Sequence, residues 1–382
     1  MKVGAWERTE SAGWVRLSTR IEWEDVARAP ETLFLEWRAD AAGVAAAVTP
    51  EPDAALLMTY PLAMALGERR LVVEGTVSPR LADGARLAMA VIARGRPTLR
   101  EVRLELHEEL APVPAAPREA ALCLSGGVDA LAALQANLRD APHDNLARYR
   151  HGIFVFGLNT YDHVDGRVVP AREAAAWEYV DRLDVFAQSV GLSLVRVRTN
   201  LRAMYPSFES WSSVTFDAHL AAIGQAMRTR VRSLAIGSHG AVLTEGLAQD
   251  PRILPFHATH AVDVHGTQNM VPRLEKLRGL LAWPEAMAQL RVCFLLDVPA
   301  PGTRNCGRCE KCVRTMLQCI ALGAEHAPHA REAFTQWVDV AAVDALTRGP
   351  KPPRGFYAAL APLLTSQGRA DLAAAVRRVE PS

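Results

Sequence analysis

The sequence predicts an α/β protein built on a parallel, doubly wound sheet, preceded by an α+β domain and followed by a helical, cysteine-bearing region. Three observations carry this. From residue 120 onward short apolar runs alternate with longer helical patterns, a proline-rich stretch precedes them, and five of the six cysteines crowd into residues 293–319.

Residues 1–112 mix strand and helix character. LFLEW (33–37), LLMTY (56–60), RRLVVEG (69–75) and LREVRLEL (99–106) are short apolar or alternating segments with strand character, and LADGARLAMAVIARG (81–95) has helical spacing. The prolines of APVPAAPREA mark residues 113–119 as a linker. In residues 120–282, AALCL, HGIFVFGL, LSLVRVRT and SLAIGS read as strands, with helices after the first and over 171–191 and 216–230. This alternation implies right-handed crossovers and a covered parallel sheet. Ligands on such sheets bind beyond the carboxyl ends of the strands, so the loops after Leu124, Leu158, Thr199 and Ile236 are expected to converge. Residues 283–382 read as mostly helical, with a helix starting at KCVRTMLQCIALGA.

Across 382 residues, 43 Lys and Arg balance 42 Asp and Glu, a net charge of +1 that excludes a nucleic-acid binder working by bulk charge. No apolar run reaches the roughly 18 residues that would span a bilayer, and the N-terminus lacks the apolar stretch of a signal peptide. The expected location is cytoplasmic, without membrane or nucleic-acid partners. The cysteines then need a role other than disulfides.

In ALCLSGGVDALAALQ a strand ends at Leu124, two glycines follow Ser125, and a helix carries Asp129 on its first turn. Glycines let successive N–H groups converge, and the helix terminus adds partial positive charge, a combination suited to phosphate. Neither a Walker-type loop nor a dinucleotide fingerprint is present here. VCFLLDVPAPGTRNCGRCEKCVRT gives C-x12-C-x2-C-x2-C. Cys306, Cys309 and Cys312 form two overlapping C-x-x-C turns, and Cys293 folds back as a fourth ligand in a closed tetrahedral zinc site. Zinc is favoured over an iron–sulfur cluster, the sharper rival, because Cys319 lies inside an apolar helix pattern without a following proline. Cys319 and Cys123 read as core residues.

SGGVDA resembles the SGGxDS loop of the PP-loop ATP pyrophosphatases, whose HUP-like fold is a parallel doubly wound sheet. Together with C-x(n)-C-G-x-C-x-x-C, residues 118–320 resemble the 7-cyano-7-deazaguanine synthase (QueC-like) family. The resemblance implies ATP, Mg2+ and Zn2+, and a carboxylate that is adenylated and passed to ammonia or an amine with release of pyrophosphate. It implies that Leu124, Ser125, Gly126, Gly127, Val128 and Asp129 hold the ATP phosphates, with Asn159, Arg198, Gly237 and Ser238 around the rest of the nucleotide. Ser125, Asp129 and His239 are the implied catalytic residues, and Cys293, Cys306, Cys309 and Cys312 the zinc ligands.

Substrate contacts are expected from Glu245, His257, His265, Arg273 and Lys276. Of these, the strand-like ATHAVDVH places its histidines on different faces, and Arg273 and Lys276 fall near the first turn of a helix, able to neutralise a phosphate or carboxylate. The sequence departs from the pattern at Ala130, which replaces the last serine, and in the residues 1–112 and the C-terminal 60 that the housekeeping enzyme lacks. Such additions resemble larger QueC-like proteins of anti-phage defence systems and biosynthetic clusters. A tRNA sulfur transferase and a non-catalytic nucleotide-binding scaffold of a defence complex remain alternatives. A homodimer, and a protein partner for the N-terminal domain, are left open.

Overall fold

The computed structural model describes residues 1–39, 43–159, 162–164, 167–207, 210–211, 217–238, 252–293, 305–346 and 357–379. The chain folds into two units: Met1–Leu124, Ala136–Val169 and Ala187–Met270 in the first, and Ser125–Gln135, Pro170–Phe186 and Val271–Ser382 in the second.

The first unit holds the sheet. Its N-terminal strands are β1 (Lys2–Val3), β2 (Glu7–Ser11), β3 (Trp14–Glu22), β4 (Glu31–Arg38), β5 (Arg70–Val77) and β6 (Arg103–Glu108). Then come β7 (Glu119–Cys123), β8 (Tyr149–Phe156), the short pair β9 (His163–Val164) and β10 (Arg167–Val168), β11 (Ser193–Thr199), β12 (Val231–Gly237) and β13 (Asp263–Thr267). The order is β13-β12-β7-β8-β11-β4-β3-β1-β5-β6, with β2 beside β3. From β13 to β11 all neighbours are parallel. In chain order these five strands run 5-4-1-2-3 across the sheet. That is a doubly wound arrangement, and its direction of winding reverses between β7 and β12.

The sheet runs straight across the expected boundary at 113–119. β4 pairs antiparallel with β11, Trp37 opposite Val197 and Leu35 opposite Thr199. Asn200 seals the junction: its side chain accepts from the Phe34 N–H at 3.0 Å and donates to the Thr32 carbonyl at 2.8 Å. One hydrophobic core accordingly joins Leu17, Leu33 and Trp37 with Val197, Ile223 and Val264. The proline-rich segment itself carries no helix or strand until β7 begins.

The LLMTY segment corrects the strand-like reading. It lies within helix α1 (Pro52–Leu66), which is buried on nearly every side. A helix apolar all round has no periodicity to reveal it. α1 ends at Gly67 in the left-handed conformation and packs against a later helix, Asp217–Ala226. The segment 81–95 lies in α2 (Pro79–Gly95), as its spacing implies. Helices α3 (Val128–Asp140), α4 (Pro170–Ser189), α5 (Leu201–Met204) and α6 (Asp217–Ala226) alternate with the parallel strands.

The second unit carries α7 (Arg273–Leu281), α8 (Pro284–Met287), α9 (Glu310–Ala321), α10 (Pro328–Arg331), α11 (Val340–Ala345), α12 (Ala361–Ser366) and α13 (Ala370–Val379). No helix among the described residues is long and apolar enough to cross a membrane.

The core of the first unit includes a buried carboxyl. Burial pushes Asp217 up from the usual 3.8 to about 7. Between pH 4 and 7 the unfolded chain ionises this group while the folded chain keeps its proton, so stability contributed below pH 4 is lost as pH rises toward 7. Asp217→Asn should therefore gain on the wild type across that window, by up to about 1.4 kcal/mol per pH unit. Urea unfolding of both proteins from pH 4 to 8 checks this; parallel stability curves would refute it.

Candidate metal centre and glycine turn

The four expected cysteine ligands come together in the second unit. Cys293, Cys306, Cys309 and Cys312 are buried, and their sulfurs all lie within 4.8 Å of one another. Sγ of Cys309 is 3.4 Å from that of Cys312 and 3.9 Å from that of Cys293, and Cys306 is 3.8 Å from Cys312. A tetrahedral zinc with sulfurs at about 2.3 Å would separate them by about 3.8 Å, close to the spacings seen. The backbone N–H groups of Arg308 and Cys309 donate to the Cys306 sulfur at 3.5 and 3.4 Å. Hydrogen bonds from the neighbouring thiols and these amides push Cys306 toward the thiolate, while Cys293 is pushed the other way. Gly307 turns the chain at φ +71, and a side chain there would overlap the Gln336 carbonyl. Cys309 then caps α9, which places Cys312 on its first turn.

Asn305 closes the centre. It is completely buried, accepts from the N–H groups of Val292 at 2.7 Å and Cys293 at 3.1 Å, and donates to the carbonyls of Leu290 and Ala333, both at 2.8 Å. It thereby holds the Cys293 segment against the C-x-x-C segment. Sequence reasoning passed over this residue, although its position directly before Cys306 was a visible cue.

The glycine turn lies between β7, which ends at Cys123, and α3, which begins at Val128. Gly126 sits at φ +77, and any side chain there would overlap the Tyr179 hydroxyl, which donates to the Gln289 carbonyl at 2.8 Å. The Gly126 carbonyl accepts from Arg291 N–H at 2.8 Å. The hydroxyl of Ser125 accepts from Gly127 N–H at 3.3 Å, and Val128 opens α3. Asp129 on its first turn pairs with Arg273 at 3.1 Å and Lys276 at 3.3 Å, both from α7. The Lys276 side chain is fully buried, and burial lowers its pKa and that of Arg273 against the pull of Asp129.

Two further cations stand within electrostatic reach. Lys311, on α9, feels the charges of Arg273, Arg314, Glu310 and Asp129, and Arg314, on the same helix, those of Arg273 and Glu310. Burial, reinforced by the two arginines, brings Lys311 down to about 8. Glu310 lies 3.3 Å from Arg314 and accepts from the Tyr357 hydroxyl at 3.1 Å. Among the described residues, Asp129 thus pairs with Arg273 and Lys276, and Glu310 with Arg314. Lys311 lies between Cys309 and Cys312, and Arg314 follows two residues after Cys312.

The remaining described nucleotide and substrate candidates belong to the first unit. Leu124 is buried beyond the end of β7. Arg198 on β11 pairs with Glu36 and stacks over Trp14 at 4.3 Å. Asn159 donates its N–H to Asp162 at 3.1 Å. Gly237 ends β12, and buried Ser238 donates its N–H to the Thr267 carbonyl at 3.0 Å. His257 is completely buried with Nε2 2.7 Å from the Tyr60 hydroxyl, and burial drives its pKa down to about 3. His265 pairs with Asp263 at 3.0 Å in a more exposed position. His257 and His265 are thus occupied separately rather than gathered as one cluster. His239 and Glu245 lie outside the described residues. Cys319 is buried in α9, its thiol pushed up to about 12, and Cys123 ends β7 half-buried.

No family model, curated protein or solved structure matches the chain.

The four-cysteine geometry predicts one equivalent of zinc per chain in protein expressed with zinc and purified without chelator. Cys312→Ser and Asn305→Ala should each lower that content to well under half. Elemental analysis checks this; full zinc retention in Cys312→Ser would contradict the assignment.

Proposed function

We propose that the protein is an ATP-dependent, QueC-like ligase or synthase that adenylates a carboxylate. The observation carrying this is the glycine turn. It follows the strand beside the point where a doubly wound sheet reverses direction, and it opens a helix whose first-turn Asp129 is held by Arg273 and Lys276. The SGGVDA resemblance supports the same reading.

In this reading the amides of Gly126, Gly127 and Val128 receive the pyrophosphate end of ATP. A substrate carboxylate oxygen attacks the α-phosphorus, the bond to the bridging oxygen breaks, and pyrophosphate leaves carrying the electron pair. Ammonia or an amine then attacks the acyl carbon, and AMP departs. Arg273 and Lys276 neutralise the charge that develops on pyrophosphate, a stabilisation realised mainly in the transition state. Mg2+ would supply charge screening at the triphosphate, with Asp129 as the available carboxylate. Zn2+ held by Cys293, Cys306, Cys309 and Cys312 would be structural, since four protein thiolates leave no open position. The Ala130 departure removes one hydroxyl donor and leaves the backbone cradle untouched.

Pyrophosphate exchange into ATP tests this directly. With Mg2+ and a panel of deazapurine and other aromatic carboxylates, the wild type should exchange label, and Arg273→Ala should reduce exchange at least tenfold, about 1.4 kcal/mol of transition-state stabilisation. Tight ATP binding with no exchange for any carboxylate would refute the enzyme reading in favour of a nucleotide-binding scaffold.

A further inference from the structure

We infer that Arg202 is the recognition group of a binding site for a small organic carboxylate, presenting the Nε–Nη2 edge of its guanidinium to the two oxygens of one monoanionic acid. The site lies within the first unit and is independent of the reading of the glycine turn.

The place of the residue suits a ligand. Arg202 sits on α5 (Leu201–Met204), directly beyond the carboxyl end of β11, and parallel sheets bind their ligands at that edge. The short helix is fixed from several sides. The Thr199 hydroxyl donates to the Phe34 carbonyl at 2.7 Å and accepts from the Leu201 N–H at 3.2 Å. The Asn200 side chain bonds the β4 backbone, and Arg28 donates to the Met204 carbonyl at 2.8 Å. Gly157 packs so closely on the Thr199 carbonyl that a Cβ would overlap it. The backbone beneath Arg202 is therefore set before any ligand arrives, which lowers the ordering cost of binding.

The bonding of the guanidinium is unfinished. Arg202 is 7% exposed, and Nη1 donates to the Tyr205 carbonyl at 3.2 Å. Nε is buried and has no partner among the described residues. With Nη1 committed to Tyr205, the Nε and Nη2 side remains, and that is the fork that takes a carboxylate side-on.

The groups around it are neutral. Trp211 has its ring centre 5.7 Å from the guanidinium carbon, stacks on His219 at 5.3 Å and meets Tyr205 edge-on at 4.9 Å. The Tyr205 hydroxyl and His219 Nε2 are 3.0 Å apart, and burial drives that imidazole down to about 3, so it carries no charge at neutral pH. Burial lowers the pKa of Arg202 as well, and no carboxylate among the described residues offsets it. A buried cation without an anion is costly, and an apolar side chain would pack here at less cost. The fold keeps the charge and leaves its binding edge open. One guanidinium in a low-dielectric setting is balanced by one negative charge, so a carboxylate fits and a phosphate dianion leaves a buried surplus. The aromatic rings beside it suit an acid with a flat apolar body.

Isothermal titration of the full chain without nucleotide tests the proposal, using acetate, benzoate and indole-3-carboxylate, with benzamide and inorganic phosphate as controls. The wild type should bind at least one aromatic acid, and benzamide and phosphate about tenfold more weakly or less. Arg202→Met should weaken binding of that acid about tenfold or more, and Arg202→Lys, which keeps the charge without the fork, should recover only part. A purely structural arginine would make Arg202→Met less stable; the site predicts that its urea midpoint without ligand stays at or above that of the wild type. Should Arg202→Met fail to fold, Arg202→Lys decides, and wild-type affinity in that variant would overturn the fork. Binding of none of the three acids by the wild type, or equal binding of phosphate, would overturn the site. A lower urea midpoint for Arg202→Met with unchanged acid affinity would make the arginine structural.

Discussion

Gly126 has no room for a side chain, and much of the second unit follows from that. The space a Cβ would need is filled by the Tyr179 hydroxyl, itself held by the Gln289 carbonyl, while the glycine's own carbonyl takes the Arg291 N–H. The turn is thus tied to residues 289–291, which lead directly into Cys293 and the Asn305 closure. From there the chain of contacts passes through the thiols to α9 and back to the cations around Asp129. A glycine turn left free would sample many conformations; here packing has already restricted it.

The first unit answers a different constraint. Five parallel strands in doubly wound order leave an edge at β11, and the N-terminal strands cover it by pairing β4 antiparallel with it. Mixed sheets that carry antiparallel strands at the margin of a parallel core are a common solution to edge exposure. The N-terminal residues therefore complete the sheet and share its core, whatever else they contact. The buried polar pairs of this unit, Tyr60 with His257 and Tyr205 with His219, are neutral at physiological pH because burial drives both imidazoles down to about 3.

Local chemistry was legible in the sequence and non-local chemistry was not. The SGG turn, its helix and the C-x-x-C spacing are contained within a few residues, so backbone and ligand geometry constrain them directly. The long helices over 81–95 and 171–189 were visible for the same reason. The pairing of β4 with β11 joins residues more than 150 positions apart and leaves no local mark. α1 was hidden because burial on all sides erases the alternation that separates a helix from a strand. Asn305 is an ordinary loop residue until its four partners are in place, and Arg273 and Lys276 are helix-face cations like any others until Asp129 meets them. His257, in a polar-looking stretch, is placed in the core, where it hydrogen-bonds to Tyr60.

The central claim is that the turn and its cations receive the phosphate end of ATP. A crystal structure of the zinc-loaded chain with a non-hydrolysable ATP analogue and Mg2+ tests it most directly. The β- and γ-phosphate oxygens should lie about 2.7–3.2 Å from the amides of Gly126, Gly127 and Val128 and from Arg273 or Lys276. A triphosphate bound away from the turn, with Asp129 still closed on Arg273 and Lys276, would contradict it.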